Sequence, residues 1–271
     1  MPTRPGLLDR VEQYAAAAPL ADARVVPVGT LDVPIGSPAW PYPARPRPGT
    51  RTVGADDVRR AVALQDEAGL PAAVEWVVER TPSLAAAARA AGLVVTEFPL
   101  LVVDDPVELL LPHGVRLYLV GAEDPRLPWY QELLETAFAP DVEVAGAPEG
   151  AAPDGAAAED ARTAVLRERV ATGRTVVMVA VEDGRPVAVG AHQPVDVGGR
   201  EVSEVVGVAS SPRRRGRGVG AALASALVAQ ARETADLVFL TAGDDDVARV
   251  YERVGFAWLG ATGVADRPAP R

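Results

Sequence analysis

Residues 205–233 read VVGVASSPRRRGRGVGAALASALVAQARE, and how this stretch is parsed decides the fold. A short β-branched run leads to Pro212, a basic glycine-rich corner follows, and an apolar segment of helical length completes it. That order is strand, turn, helix. Arg213, Arg214, Arg215 and Arg217 interleave with Gly216, Gly218 and Gly220 where the helix must begin, and Val219 opens its apolar run. Free backbone N–H groups, the positive end of the helix dipole and guanidinium charge meet at one spot, which suits a phosphate-bearing ligand.

Downstream of this corner, 237–241 is a short apolar strand. Val247, Val250, Tyr251 and Val254 then share one helical face, Gly255 ends that helix, and a last strand starts at Phe256. Upstream, 175–181 and 187–193 are strands joined through Glu182-Asp183-Gly184-Arg185, a compact hairpin signal, and Gly198-Gly199 turns the chain into the strand before the corner. Further back, 115–120 alternates as a strand, while 129–138 and 159–171 have helical spacing. Between those helices, 139–158 is rich in Ala, Gly, Pro and acids without periodicity and reads as a loop.

In the first half, 7–18 reads as a short amphipathic helix. Prolines at 27, 34, 38, 41, 43, 46 and 48 leave no regular element expected over 25–51. Trp40 and Tyr42 within it form either a strap packed on the core or the lip of a ligand site. A helix over 56–70 closing at Gly69, a strand over 74–78, a helix over 81–91 stopped by Gly92, and one or two strands over 94–103 complete this half. Pro106, Pro112 and Gly114 mark the expected boundary, giving domains 1–112 and 113–271.

Bulk composition narrows the function. With 271 residues, 48% hydrophobic and 24% charged, the chain is expected to be a soluble α/β protein of one large or two modest domains. No cysteine is present, so disulfides, zinc-thiolate sites and a cysteine nucleophile are excluded; with only two histidines no metal site is expected. A net charge of -10 disfavours general nucleic-acid binding and favours a cationic or amine-bearing partner. No apolar run approaches the ~20 residues of a membrane span, so no membrane partner and a cytoplasmic location are expected. A homodimer is compatible with all of this. Every cationic side chain is Arg, which we read as genome composition.

The glycine corner satisfies two motifs. Gly216, Gly218 and Ala221 fit the dinucleotide fingerprint G-x-G-x-x-A, with Asp236 downstream for a ribose. However, the preceding strand follows antiparallel hairpins rather than opening a βαβ unit, and clustered Arg is unusual in a fingerprint built on bare backbone. The corner also resembles the acetyl-CoA loop of the GNAT superfamily of N-acetyltransferases: Arg or Gln, two residues, Gly, one residue, Gly or Ala. It fits in two registers, 213–218 and 215–220. Residues 207–212 resemble the strand-to-Pro lead-in of one GNAT subtype, and 250–256, VYERVGF, is similar to the family's second helix with its Tyr and its Gly-Phe ending. The likeness covers roughly 115–265.

The resemblance implies a mixed, mostly antiparallel sheet flanked by helices, and transfer of acetyl from acetyl-CoA, as co-substrate, to a primary amine of a small-molecule or peptide acceptor by direct attack in a ternary complex. It assigns the cofactor contacts to Val208, Ala209, Ser210, the corner from Arg213 to Gly220, and Asp244, where the family often has Asn. It also gives Tyr251 the task of protonating the departing thiolate; an ordinary core aromatic is the alternative. Glu201 and Glu204 flank the strand that meets the acceptor, and Glu204 is preferred as base because it shares the parity of Val208. His192, in a strand, reads as structural more readily than catalytic. Asp244, Asp245 and Asp246 cap the Tyr251 helix or draw a cationic amine to the acceptor mouth. The first half repeats the tail of the second in outline, with Ala-Ala-Gly-Leu at 90–93 where Arg-Val-Gly-Phe stands at 253–256, so it reads as a truncated copy of the same fold or an unrelated cap. A non-catalytic sensor of CoA or another nucleotide is the alternative to an enzyme.

Overall fold

The computed structural model, which describes residues 3–136, 160–211 and 214–268, is organised on one eight-stranded sheet. The first half supplies α1 (Arg4–Ala17), β1 (Ala23–Val28), β2 (Leu31–Gly36), β3 (Arg45–Pro46), α2 (Ala55–Glu67), β4 (Ala73–Val77), α3 (Leu84–Ala90) and β5 (Val94–Val103). The second supplies β6 (Val115–Leu119), α4 (Leu127–Thr136), α5 (Ala161–Ala171), β7 (Val176–Glu182), β8 (Arg185–Asp196), β9 (Glu201–Ser210), α6 (Val219–Ala231), β10 (Ala235–Thr241), α7 (Asp245–Glu252) and β11 (Phe256–Asp266). The large sheet runs β4-β11-β5-β10-β9-β8-β7-β6, and β1-β2-β3 form a small separate sheet. Within the large sheet only β9 and β10 pair parallel. The mixed, mostly antiparallel sheet expected for 113–271 is therefore present, and the connection at the expected boundary joins strands of one sheet.

Local chemistry explains most of these elements. Asp183 and Gly184, at φ 50 and 76, make the left-handed two-residue turn that matches strand twist between β7 and β8. Gly92 and Gly255, at φ 89 and 95, end α3 and α7 in the left-handed region and release β5 and β11. The loop expected over 139–158 lies wholly outside the described residues.

The expectation that 25–51 holds no regular element is wrong, and hydrogen-bond geometry shows why. β1 and β2 form a two-residue hairpin closed by Val28 and Leu31; Pro27 pairs with Asp32 and Pro34 with Val25. Both prolines stand an odd number of steps from the closing pair, where backbone amides point away from the partner strand. β1 is an edge strand and β3 reaches only Leu31 and Asp32, so neither proline withholds a donor from the ladder.

Helices cover both faces. One face carries α6 and α7: Leu223, Leu227 and Val228 of α6 pack on Met178, Val205 and Leu240. On the other, Leu8, Val11 and Tyr14 of α1 cover Leu100, Val102 and Phe239, and Leu127 and Tyr130 of α4 with Leu166 of α5 cover Val177, Val179 and Val189. A further core lies under α2 and α3, where Val58, Ala61 and Leu84 meet Val33, Val74 and Trp76.

Candidate active site

β9 is irregular where the site lies. From Ala191 to Val189, β8 takes two steps while β9 takes three, from Val206 to Ala209. Gly207, at φ 62, takes up the extra residue as a bulge. The faces exchange there: Val205 and Val208 pack with the α6 side, Val206 and Ala209 with the α4 and α5 side. Glu204 therefore lies on the face opposite Val208, and the parity expected to place them together is broken.

A second irregularity concerns β9 and β10. Glu204 opposite Phe239 is the last pair of their parallel ladder. Beyond it β10 pairs with β5 as far as Thr241, and β9 pairs with β8 as far as Ser210. The two strands part at Glu204, opening the sheet there.

Glu204 is half-buried between two spaces. On one side is a cleft of about 320 Å³ lined by Tyr14, Trp40, Tyr42, Leu166, Gln193, Val206 and Gly207. On the other is a cavity of about 30 Å³ bounded by Glu12, Arg45, Glu75, Thr241 and Thr262, room for one or two waters. Burial, reinforced by the charge of Glu75, pushes the Glu204 carboxyl up to about 7, while Arg45 and a hydrogen bond from Tyr14 act the other way. A carboxyl titrating there exchanges protons readily at neutral pH.

The cleft wall is braced from behind. The Tyr42 hydroxyl donates to Asp22 at 2.5 Å and accepts from Arg169 at 3.0 Å. Asp22 also binds the guanidiniums of Arg169 and Arg174. The Arg169 guanidinium sits 4.6 Å from the Trp40 ring centroid. Trp40 and Tyr42 thus pack as a strap and line the cleft. Tyr14, Arg45, Glu75 and Gln193 were not singled out from the sequence; none lies in a motif, and only the packing of α1, β3 and β4 beside β9 assembles them.

The basic corner has the geometry of an anion cradle. Gly216 and Gly218, at φ 75 and 80, turn the chain into α6, and no side chain caps that helix. The first intrahelical bond runs from the Ala222 amide to the Gly218 carbonyl at 2.9 Å, leaving the Val219, Gly220 and Ala221 amides at the open end. A Cβ on Gly220 would stand 2.8 Å from Ser210 Oγ, so the bare glycine allows helix and strand end to approach. Arg215 and Arg217 are exposed, whereas Arg214 pairs with Glu182 at 2.5 Å. Arg213 lies outside the described residues.

Tyr251 is packed against the α6-side core, edge-on to Phe256 at 5.7 Å, and burial raises its hydroxyl to about 12, keeping it protonated. Asp244 caps α7, its Oδ1 accepting from the Val247 amide at 2.7 Å, and Asp246 pairs with Arg249. α7 lies on the face opposite the cleft, so the acid triplet does not line the cleft; the sheet stands between them. Glu201 sits at the far end of β9 and accepts from Thr234. His192 is buried, hydrogen-bonded between Ser203 and Gln230, and burial lowers its pKa; it ties β8 to α6. No helix among the described residues is long and apolar enough to cross a membrane.

Residues 134–256 match the model of the Acetyltransferase (GNAT) family. No curated protein sequence matches the chain. Among solved structures, a GCN5-related N-acetyltransferase from Kribbella flavida is 23% identical, with 97% of this chain and 96% of that chain covered at a TM-score of 0.70. A tandem GNAT protein from the clavulanic acid biosynthesis pathway is 20% identical over 89% of this chain and 79% of its own, at 0.52. A putative GNAT-family acetyltransferase from Novosphingobium aromaticivorans DSM 12444 is 19% identical over 89% of each chain, also at 0.52. At these identities the likeness is one of fold.

Proposed function

We propose, from the match of residues 134–256 to the GNAT acetyltransferase model, that the protein transfers acetyl from acetyl-CoA to a primary amine held in the cleft beside Glu204. The observation that carries this reading is the position of Glu204: the last paired residue before β9 and β10 part, lining the cleft, with a carboxyl that titrates at about 7.

The chain's own residues divide the work. Val219, Gly220 and Ala221 amides with Arg215 and Arg217 hold the diphosphate, anchoring it away from the reacting bond. The gap between β9 and β10 receives the acyl arm, with Val208, Ala209 and Ser210 along one side. Glu204 takes the proton from the amine as its nitrogen bonds the acetyl carbon, and Tyr251, carried by α7 on the other face of the sheet, is assigned the protonation of the sulfur as the carbon–sulfur bond breaks. The products are an amide and free CoA. Water in the small cavity beside Glu75 carries the Glu204 proton out, and solvent returns one to Tyr251. No covalent enzyme intermediate is needed.

The first half supplies part of the cleft wall and no anion cradle. α2 begins with Asp56 and Asp57 in its first turn, the charge opposite to that at α6, and Asp57 is engaged by the Thr30 amide and hydroxyl. The test is thiol release from acetyl-CoA with an amine panel, beside calorimetry of acetyl-CoA binding. Turnover supports transfer; binding without turnover of any amine converts the reading to a sensor.

A further inference from the structure

The cleft's lining carries information about the acceptor, beyond the general reading of acetyl transfer on which the inference rests. Its volume, about 320 Å³, lies at the bottom of the range for ligand pockets, roughly 300–1,000 Å³, which is room for a small molecule and too little for a folded protein segment. Among the described residues that line it, Glu204 is the one carboxylate and Arg45 the one cation, and Arg45 is paired with Glu75 at 2.9 Å.

The remaining surface is mostly aromatic and aliphatic. The Tyr42 hydroxyl is engaged by Asp22 and Arg169 and the Tyr14 hydroxyl is shared between the Gln193 carbonyl, at 3.1 Å, and Glu204, so the rings, not their hydroxyls, are what a ligand meets. Asp22, the next acid behind the wall, already holds two guanidiniums. A second ammonium entering here would lose its water without gaining a carboxylate, whereas a flat apolar body finds the rings of Tyr14, Trp40 and Tyr42 together with Leu166 and Val206 in the same lining.

We propose that the acceptor is a small primary amine bearing a single positive charge on an aromatic or similarly flat apolar body, seated between Trp40 and Val206 with its amine at Glu204. Trp40 is then the residue that sets specificity.

The experiment uses the full chain, acetyl-CoA and three probes: 2-phenylethylamine, spermidine and a lysine-containing peptide. The expected result is a kcat/KM for phenylethylamine at least tenfold above the other two. Trp40→Ala should lower phenylethylamine kcat/KM tenfold or more, mainly through KM, with acetyl-CoA affinity by calorimetry unaltered; Trp40→Phe, which keeps a ring against Arg169, should lower it less. Circular dichroism reports whether each variant folds, and the Phe variant carries the test if the Ala variant does not. Preference for spermidine or the peptide overturns the proposal, as does a Trp40 variant that folds and keeps the parent KM for phenylethylamine. Acetyl-CoA binding with no phenylethylamine turnover also overturns it. Failure to bind acetyl-CoA at all instead overturns the acetyl-transfer reading.

Discussion

Replacing Glu204 by Gln tests the site through two separate readouts. Gln has the shape of a protonated Glu but cannot accept the proton, so kcat/KM should fall on the order of a hundredfold or more, the usual weight of a positioned base. In the parent protein kcat/KM should rise with pH through about 7; in the variant that rise should vanish. Stability should move in the opposite direction. The carboxyl's affinity for its proton corresponds to 4.5 in the open chain and about 7 in the fold, so the folded state holds a proton that the unfolded state has released over that interval. The parent should therefore lose stability as pH climbs from about 4.5 to 7, by at most roughly 3.5 kcal/mol at about 1.4 kcal/mol per tenfold difference in proton affinity. Glu204→Gln has no proton to lose, so at pH 8 it should be the more stable protein, and near pH 4 the two should converge. Urea unfolding at pH 4, 6 and 8 measures this. A variant no more stable than the parent at pH 8, with a parent curve flat from 4.5 to 7, refutes the buried, protonated Glu204; an unchanged kcat/KM profile refutes its role as base.

Glu75→Gln removes the negative neighbour and frees Arg45, both of which favour the ionised Glu204, so the acidic limb of the kcat/KM profile should move to lower pH. Tyr251→Phe keeps the ring contact with Phe256 and should leave the melting temperature within a degree or two, while kcat falls roughly tenfold to a hundredfold; an unaltered kcat makes Tyr251 a packing residue. Changing Arg215 and Arg217 together to Gln should weaken acetyl-CoA binding about tenfold or more and flatten its dependence on salt, read by calorimetry at two ionic strengths. Gly92 and Gly255 end α3 and α7 in unlike surroundings. Nothing lies within 4 Å of a Cβ on Gly92, but one on Gly255 would stand 1.9 Å from the Asp105 carbonyl oxygen. Gly92→Ala should then cost about 1–2 kcal/mol from backbone strain alone, and Gly255→Ala roughly 2–5 kcal/mol once the clash is added; equal losses in urea titrations contradict the structure at that contact.

Much of this architecture is written locally and is legible without coordinates. The strand, basic corner and helix of 205–233 follow from periodicity and glycine placement, and Gly92 and Gly255 announce the ends of their helices. What escaped is relational. The Gly207 bulge depends on the count of residues in β8 opposite it, so the face presented by Val208 was misjudged although Glu204 itself was singled out. The hairpin at 23–36 escaped because the tolerance of a strand for proline depends on which neighbour its amide faces. That the acid triplet at 244–246 stands across the sheet from Glu204 is likewise illegible, because sequence distance cannot tell one face of a sheet from the other. Tyr14 and Glu75 belong to distant elements and carry no motif at all.

Strand order has a mechanical consequence. In β4-β11-β5-β10 each half lends its final strand to the other: β11 lies between β4 and β5, and β5 lies between β11 and β10. A chain cut near residue 112 would yield two fragments with unfilled slots where the other's strand belongs, and neither would keep its shape alone. The bank of the opening formed by β10 is clamped by β5, a strand from the half with no anion cradle of its own. That half works as a brace on the β10 bank, while the β9 bank is held by β8 of the second half through a ladder that the Gly207 bulge interrupts.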